Sequence, residues 1–451
     1  MGSIRDKCGV FGVYGVERAS EYVYLGLHYL QHRGQESCGM VSFSKRKHYY
    51  HYGMGLVREV FSPSILSELK GDMAIGHCRY STQGASNIEN SQPVFGEIES
   101  GSIAISHNGE IFNSSQLRKE LRKKGCIFKG DSDTEVVLHL LANSKKDTLK
   151  ERIKDVFGRL KPSFSILIMS REGLYAIRDS RGIRPLVIGH LKSGYVAASE
   201  TVALDIIGAE YIRDVEPGEA VFINTEGIQS FRFTEKKTPL RCIFEYIYFA
   251  RPDSFLFGDN ITVSEVRKEF GKSLFKKYPV EADVVIPVPD SSIYAALGFS
   301  SASGIPFDFG IVRSHYIGRT FIEPTQVLRD IKVKRKFNTN RSVVSGKRVV
   351  VVEDSIVRGT TLKKVVSMLK EAGAKEVHVR VSAPPYRYSC YLGIDTANTD
   401  SLIANGKSVD EVRDFIKADT LGYLDKETLL QNKYIKGEFC TYCFDGIRII
   451  K

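Results

Sequence analysis

The chain has 451 residues, of which 42% are hydrophobic and 26% are charged, and its formal net charge is +11. This composition is that of a folded globular protein, and the length predicts two or three domains. No run of about 18 apolar residues occurs, which excludes a membrane-spanning helix. Residues 1–7 lack the apolar core of a signal peptide. We therefore expect a cytoplasmic protein with no membrane partner.

The positive charge is compatible with nucleic acid or with small anionic substrates. Lysine and arginine are dispersed, and the densest cluster is Lys332, Lys334, Arg335 and Lys336. A site that handles phosphate explains such a cluster as well as DNA does, and a solvated basic surface accounts for most of the remaining charge. We expect no nucleic-acid partner.

The first half of the chain alternates short strands with a few grouped helices. Strands are predicted at 9–15, 102–107, 163–169, 195–199 and 220–224, and helices at 133–142 and 149–157. Runs of strands with grouped helices indicate an α+β layered domain. The chain turns polar at 234–239, which predicts a first domain over residues 8–235.

Chemistry-bearing residues of this half lie in separated motifs. They are Cys8 in Cys-Gly-Val-Phe-Gly-Val, Arg33 in Gln-His-Arg-Gly-Gln-Glu, Arg79 and Thr82 in Gly-His-Cys-Arg-Tyr-Ser-Thr, Asn108 and Gly109 in His-Asn-Gly, and Asp133 in Ser-Asp-Thr-Glu. In this order they resemble the glutaminase domain of class II glutamine amidotransferases. The resemblance implies the four-layer αββα fold of N-terminal-nucleophile hydrolases.

The resemblance also implies a catalytic role for three residues. Cys8 supplies the nucleophilic thiol, which passes through a thioester. Its own α-amine serves as the base, since an α-amine has a pKa of about 8, near working pH. The Asn108 side chain and the Gly109 backbone N–H form the oxyanion hole.

Glutamine itself would be held by charged groups of the same motifs. By resemblance, Arg79 binds the α-carboxylate through a charge-assisted bond. Asp133 takes the α-ammonium, and Thr82 lines the same pocket. Arg33 either joins this pocket or holds a loop by hydrogen bonds.

Seven residues precede Cys8. While they are attached, the α-amine base does not exist. We expect residues 1–7 to be a leader that is removed by cleavage between Lys7 and Cys8, as occurs in this family.

The second half of the chain alternates strands and helices, which indicates an α/β domain with a parallel sheet. Thr262 and Glu265 could form a capping box that opens a helix to about residue 277. Strands are predicted at 283–289, 349–352 and 377–381, with a helix at 291–300. We expect this domain to span residues 236–400.

The strand at 349–352 is four consecutive valines and ends at Glu353 and Asp354. A short loop then leads into a helical pattern at 362–372. Ligands bind beyond the carboxyl ends of such strands, and a helix start favours phosphate. The two carboxylates cannot bind phosphate, so they need hydroxyls or a divalent cation. The segment resembles the phosphoribosyl pyrophosphate (PRPP) motif of type I phosphoribosyltransferases; the alternative is a buried strand before an ordinary capped helix.

By this resemblance, the loop cradles the 5′-phosphate with Ser355, Ile356, Val357, Arg358, Gly359, Thr360 and Thr361. Glu353 and Asp354 serve the ribose hydroxyls and Mg²⁺, with Ser291 near the metal. Asp290 belongs to a pyrophosphate loop or is simply a helix N-cap. Residues 323–346 are expected to form a lid that orders on substrate; Lys336 matches the family's lid, or is part of a solvated basic face.

The two halves together resemble one family, the amidophosphoribosyltransferases. The resemblance implies that glutamine-derived ammonia passes internally to PRPP, giving 5-phosphoribosylamine, glutamate and pyrophosphate, the committed step of purine synthesis. It also implies feedback inhibition by purine nucleotides and assembly as a homodimer or homotetramer.

The tail, residues 401–451, is predicted to be helical, with a possible capping box at Ser408 and Glu411. It carries Cys440 and Cys443, a weak two-ligand fragment. Cys242 and Cys390 match ligand positions of the family's iron–sulfur branch, so a [4Fe–4S] cluster is expected. Structural zinc and four unrelated reduced thiols are the alternatives. Cys38, Cys78 and Cys126 are taken as ordinary thiols.

A rival function is a PRPP-sensing regulator that binds DNA without catalysis. The positive charge favours it slightly. The complete set of glutaminase motifs argues against it, and no helix-turn-helix candidate is present.

Overall fold

A computed structural model of the chain describes residues 8–44, 47–80, 85–313, 337–394, 396 and 398–450. Among these residues, no helix has both the length and the apolar character needed to cross a membrane. Two regions of different architecture follow one another along the chain.

The first region contains two antiparallel sheets. Its strands are β1 (Gly9–Tyr14), β2 (Ser37–Ser44), β3 (Lys47–Met54), β4 (Met73–Arg79), β5 (Val94–Ile98), β6 (Gly101–Gly109), β7 (Phe164–Ser170), β8 (Gly173–Arg178), β9 (Val187–Leu191), β10 (Gly194–Ala198), β11 (Glu210–Asp214), β12 (Glu219–Asn224) and β13 (Gly227–Arg232). One sheet has the order β11-β9-β10-β1-β4-β2-β3 and the other β13-β12-β8-β7-β6-β5.

Helices cover the outer faces of these sheets. They are α1 (Ala19–Tyr29), α2 (Val57–Val60), α3 (Pro63–Glu68), α4 (Ser114–Lys123), α5 (Asp133–Asn143), α6 (Leu149–Phe157) and α7 (Val202–Asp205), with a 3₁₀ turn at Ile88–Asn90. Ser62 and Thr148 cap α3 and α6 by accepting backbone N–H bonds, as the N-cap preference for hydroxyl side chains predicts.

Three apolar cores separate four layers. The inner core joins the facing sheets through residues such as Val10, Ile75 and Leu167. A second core packs α1 against the first sheet, and a third packs α4, α5 and α6 against the other. The predicted αββα arrangement is therefore confirmed, and each strand and helix predicted between residues 9 and 224 is present with small shifts at its ends.

The second region is built on a parallel sheet. The strands of the whole region are β14 (Arg241–Cys242), β15 (Val284–Pro287), β16 (Ile311–Arg313), β17 (Phe337–Thr339), β18 (Arg348–Glu353), β19 (Glu376–Val381), β20 (Thr420–Tyr423) and β21 (Phe439–Cys440). Strands β15, β18, β19 and β20 form the sheet in that order, and all their pairings are parallel.

Helices lie on both faces of this sheet, as parallel strands require. They are α8 (Val263–Lys277), α9 (Ile293–Ser303), α10 (Arg341–Val344), α11 (Thr360–Glu371), α12 (Val409–Ile416), α13 (Lys426–Leu430) and α14 (Tyr442–Asp445), with a π-helical turn at Glu245–Phe249 and a 3₁₀ turn at Thr399–Ser401. The four valines of β18 are fully buried, which confirms the strand predicted from them.

Two local predictions for this region need comment. Helix α8 is confirmed, but the capping box predicted at its start is wrong: the Thr262 side chain makes no cap hydrogen bond and instead lies 2.7 Å from the Ser264 hydroxyl. The box at Ser408 and Glu411 is confirmed.

The tail is not only helical. It adds β20 to the edge of the parallel sheet, and β21 pairs with β14 near the start of the second region. Short apolar segments such as Thr-Leu-Gly-Tyr favour a strand once a sheet edge is available, which the tail sequence by itself does not reveal.

Candidate active sites

Cys8 lies at the entrance to β1, beside the end of β4. The two strands pair antiparallel with Gly9 opposite Cys78, which places Cys8 alongside Arg79. Cys8 is 6% exposed, and its thiol lies 3.7 Å from the Tyr80 carbonyl oxygen. Its φ of +52° falls in the left-handed region, which is uncommon for a residue with a side chain and clusters at functional sites.

Asn108 and Gly109 end β6, close to the same corner. The Asn108 side chain is fully buried, and neither its nitrogen nor its oxygen has a hydrogen-bond partner among the described residues. Gly109 has a φ of +137°, and a Cβ there would lie 2.4 Å from the Ser163 carbonyl oxygen. Buried amides are normally paired, so this unpaired donor suits a ligand oxygen that arrives later.

One hydrogen bond between the sheets brings these strand ends together. His77 of β4 donates from Nε2 to the His107 carbonyl oxygen of β6 at 2.9 Å. Complete burial is the main cause that lowers the pKa of His77 to about 3, so the ring stays neutral. Arg79 follows His77 by two residues and Asn108 follows His107 directly, so the bond sets the separation of the two groups.

Asp133 joins this corner from the first position of α5. Its Oδ2 accepts a hydrogen bond from the Ile111 backbone N–H at 2.9 Å, and its Oδ1 lies 3.4 Å from Nδ1 of His107. The Arg79 guanidinium, only 3% exposed, donates to the Ala85 carbonyl oxygen at 3.2 Å. The corner thus gathers a thiol, an amide, a guanidinium and a carboxylate; Thr82 lies outside the described residues.

Arg33 is fully buried behind the corner. It donates from Nε to Glu200 and from Nη2 to Glu245, the latter at 2.7 Å. This arrangement favours the alternative in which Arg33 holds the local structure. Sequence reasoning missed both carboxylates. A signal existed for one of them, since Glu245 is the single charge within the apolar run 243–250.

The second cluster lies where β15 and β18 of the parallel sheet end. The Ser291 hydroxyl donates to Oδ2 of Asp354, and the Ser355 hydroxyl donates to Oδ1 of the same carboxylate at 2.6 Å. Ser292 donates to Glu353 at 3.3 Å. The two loops predicted to share one ligand therefore meet through these hydrogen bonds.

The paired carboxylates are electrostatically unfavourable as they stand. Burial, together with the charge of Asp354, raises the pKa of Glu353 well above its ordinary value. Burial also raises the pKa of Asp354. Two repelling, partly dehydrated carboxylates gain stability from a divalent cation, so the donor set fits the Mg²⁺ implied for the site.

The loop after Asp354 has the form of an anion cradle. Gly359 adopts a left-handed φ of +69° directly before the 12-residue helix α11, whose first N–H groups have no helical acceptor. Ile356 and Val357 are buried beneath the loop, so their backbone rather than their side chains faces a ligand. Nε of Arg358 is buried and has no hydrogen-bond partner among the described residues.

Two further residues were predicted near this cradle. Asp290 accepts a hydrogen bond from Nη1 of Arg313 at 2.5 Å, while the N-cap of α9 is Ser292. The simple N-cap interpretation of Asp290 is therefore wrong. Lys336 and residues 323–335 of the predicted lid lie outside the described residues. The last part of the predicted lid, residues 337–346, contains β17 and α10.

Four cysteines from distant parts of the chain line one small cavity. Cys242 and Cys440 lie opposite each other in the β14–β21 pair, and Cys390 and Cys443 line the same cavity. Burial, followed by the charge of neighbouring thiols, raises the pKa of Cys440 to about 12 and that of Cys443 well above its ordinary value. All eight cysteines lie outside disulfides.

Comparison with known proteins gives consistent matches for both regions. Residues 77–205 match a family model described as a glutamine amidotransferase domain, and residues 261–413 match a phosphoribosyl transferase domain. The chain is 48% identical to amidophosphoribosyltransferase of Bacillus subtilis, with 98% of this chain and 94% of the relative covered. It is 46% identical to the enzyme of Methanothermobacter thermautotrophicus over 98% of this chain and 94% of the relative.

The chain belongs to the amidophosphoribosyltransferase family. A solved structure of glutamine PRPP amidotransferase from B. subtilis, complexed with ADP and GMP, superposes with a TM-score of 0.93, covering 98% of this chain and 97% of that one. These matches confirm the predicted fold classes and the predicted function.

The enzyme transfers ammonia from glutamine to PRPP, giving 5-phosphoribosylamine, glutamate and pyrophosphate in purine synthesis. The alternative of a DNA-binding regulator without catalysis has no support from this family membership.

The raised pKa values of the carboxylate pair make a prediction about stability. The folded state disfavours ionisation of Glu353. The contribution of this residue to the free energy of unfolding is therefore complete at low pH, where the carboxyl is protonated, and is lost as pH rises through its pKa in the folded state. Glu353→Gln should therefore raise the melting temperature relative to wild type more at pH 8 than at pH 5, in EDTA and without substrate.

The matched control is Glu265→Gln, which removes an exposed carboxylate paired with Lys268. Its melting temperature should differ little from wild type at either pH. An effect of Glu353→Gln that is equal at the two pH values would contradict the electrostatic account.

Proposed function

We propose that the thiol of Cys8 attacks the side-chain amide carbon of glutamine. The α-amine of Cys8, available after cleavage of the Lys7–Cys8 bond, takes the thiol proton and delivers it to the departing ammonia. The resulting thioester is hydrolysed by water, which releases glutamate and restores the thiol. The main support is the buried, unpartnered Asn108 amide, which with the Gly109 N–H would stabilise the oxyanion.

Arg79 and Asp133 would hold the two charged ends of glutamine. They flank the Asn108 corner from β4 and α5, so a substrate held between them presents its side chain toward Cys8. Thr82 is proposed for the same pocket. Arg33 would act from behind it, through its contacts with Glu200 and Glu245.

The second cluster would bind PRPP. Residues 355–361 would hold the 5′-phosphate, and Glu353 and Asp354 would bind the ribose hydroxyls and Mg²⁺ together with Ser291. Asp290 and Lys336 would contact the pyrophosphate side. Mg²⁺ would supply positive charge that stabilises the pyrophosphate leaving group. Ammonia attacks ribose C1, the bond from C1 to pyrophosphate breaks, and a proton leaves the new amine.

A pair of variants separates the two half-reactions. Cys8→Ala should abolish glutamine-dependent formation of phosphoribosylamine and leave ammonia-dependent formation intact, because ammonia added from outside bypasses the thiol. Asp354→Ala should abolish both, because it removes a PRPP ligand. The measurement is pyrophosphate release with either nitrogen donor. Undiminished glutamine use by Cys8→Ala would refute the proposed nucleophile.

We also propose that Cys242, Cys390, Cys440 and Cys443 hold a [4Fe–4S] cluster that ties the tail to the rest of the chain. Thiols with raised pKa values need a cation to ionise, which fits metal binding. Zinc would require sulfurs converging at about 2.3 Å on one point. Among the described residues the four cysteines line one cavity, so a metal analysis of the purified protein decides between a cluster and zinc.

Protein prepared without oxygen should be brown and contain about four iron atoms per chain. Cys443→Ser should lose this iron and melt at a lower temperature, since the tail loses its attachment. Cys126→Ser, which changes a half-buried cysteine that is not among the residues lining the cavity, should keep both the iron and the melting temperature. Active protein that contains zinc, or no metal, would refute the cluster.

Purine nucleotides are proposed as feedback inhibitors, supported by the ADP and GMP bound to the B. subtilis relative. Assembly as a homodimer or homotetramer is proposed on family grounds. The domain boundaries at residues 235 and 400 and the cytoplasmic location stay predictions.

A further inference from the structure

The π-helical turn Glu245–Phe249 lies beyond the polar stretch that ends the glutaminase region, yet its first side chain reaches back into that region. Glu245 is fully buried. Its Oε2 accepts a hydrogen bond from Nη2 of Arg33 at 2.7 Å, and its Oε1 accepts one from Nη1 of Arg184 at 3.0 Å. One carboxylate from the second region thus pairs with two buried guanidiniums of the first.

A second carboxylate makes the reverse connection. Glu200 of the glutaminase region pairs with Arg33 and His32. Its other oxygen accepts from the Arg251 backbone N–H at 2.9 Å and from the Ser254 hydroxyl at 2.5 Å, both in the second region. Arg33 is therefore held between a carboxylate of its own region and one of the other. Buried charges of this kind are stable only while every partner is in place.

The segment that follows Arg33 is packed against the strand that carries Arg79. The next residue, Gly34, lies so close to β4 that an added Cβ would be 2.7 Å from the Arg79 backbone nitrogen. The Glu36 backbone N–H also donates to the Arg79 carbonyl oxygen at 3.0 Å. A shift of Arg33 would move this segment against the residue proposed to bind the glutamine α-carboxylate.

The same turn is anchored on its other side near the PRPP site. Arg267 of α8 donates from Nε to the Tyr246 carbonyl oxygen at 2.7 Å and from Nη2 to the Ala250 carbonyl oxygen at 2.8 Å. Arg267 is 3% exposed, and its charge interacts with that of Asp354. The turn is therefore hydrogen-bonded to Arg33 on one side and, on the other, to an arginine whose charge interacts with that of Asp354.

We propose that Glu245 is a positioning residue for the glutamine half-reaction, acting through Arg33 on the segment that backs Arg79. The inference rests on the proposed function of Cys8 and Arg79. It makes the glutaminase site dependent on a carboxylate supplied by the phosphoribosyltransferase side of the chain. A merely structural role would instead lower both half-reactions and the stability together.

Glu245→Gln in the full-length enzyme tests this proposal. The amide keeps the shape and one acceptor oxygen but removes the charge between two guanidiniums. We expect kcat/KM for glutamine to fall by roughly tenfold to a hundredfold, as misplacement of a substrate-binding group does. Ammonia-dependent turnover and KM for PRPP should match wild type. Glu265→Gln, an exposed carboxylate of the same region, is the matched control and should leave both reactions unchanged.

Glu245→Asp and Arg33→Gln/Glu245→Gln complete the test. Glu245→Asp keeps the charge and should recover part of the glutamine-dependent activity. This variant also tests the proposal if Glu245→Gln folds poorly. In the double variant, kcat/KM for glutamine should fall by less than the product of the fold-losses measured for Arg33→Gln and Glu245→Gln alone, because the two residues act through one contact.

Unchanged glutamine kinetics in Glu245→Gln, or equal losses with glutamine and ammonia, would overturn the inference. Cys8→Ala distinguishes this failure from failure of the proposed function. If Cys8→Ala loses glutamine activity while Glu245→Gln keeps it, only the role of Glu245 is wrong.

Discussion

One buried hydrogen bond links the two sheets of the first region at the proposed glutamine site. Facing sheets normally pack about 10 Å apart with apolar side chains between them. Here His77 crosses this space to the His107 carbonyl oxygen, and its low pKa keeps it a neutral donor over the working range of pH. Cys8 and Arg79 lie on one sheet and Asn108 on the other, so this bond and the apolar core between the sheets together fix the separation of these groups.

The two candidate sites are linked by buried charged side chains as well as by the continuous polypeptide chain. The glutaminase corner is backed by Arg33, and Arg33 is neutralised from both regions by Glu200 and Glu245. The charge of Asp354, a proposed PRPP ligand, interacts with that of Arg267, which also holds the turn that carries Glu245. Ammonia is small and easily lost to water, so an enzyme that makes it at one site and uses it at another gains from sites whose positions are tied together.

Much of this structure could be predicted from sequence because its signals are local. Four consecutive valines identify a buried strand, and the order of the glutaminase motifs identifies the first fold. Predictions failed where local and tertiary interactions compete. Thr262 has the sequence of a capping box, but Ser264 engages its hydroxyl. The strand β20 forms only because β19 offers it an edge.

The buried network of ion pairs could not be predicted from the sequence, because each charged residue pairs with residues from distant parts of the chain. Arg33 precedes Glu200 by 167 residues and Glu245 by 212 residues. The apolar run around Glu245 indicates that this residue is buried, but it does not show which residues pair with the carboxylate.

The central claim is that the thiol of Cys8, at a processed chain start, is the nucleophile. The most direct measurement is mass spectrometry of the enzyme after reaction with a glutamine analogue that carries an electrophilic diazoketone. The account predicts one adduct, on a peptide that begins at Cys8 and lacks residues 1–7. An adduct on Cys38 or Cys78, or a labelled and active chain that still carries those residues, would contradict it.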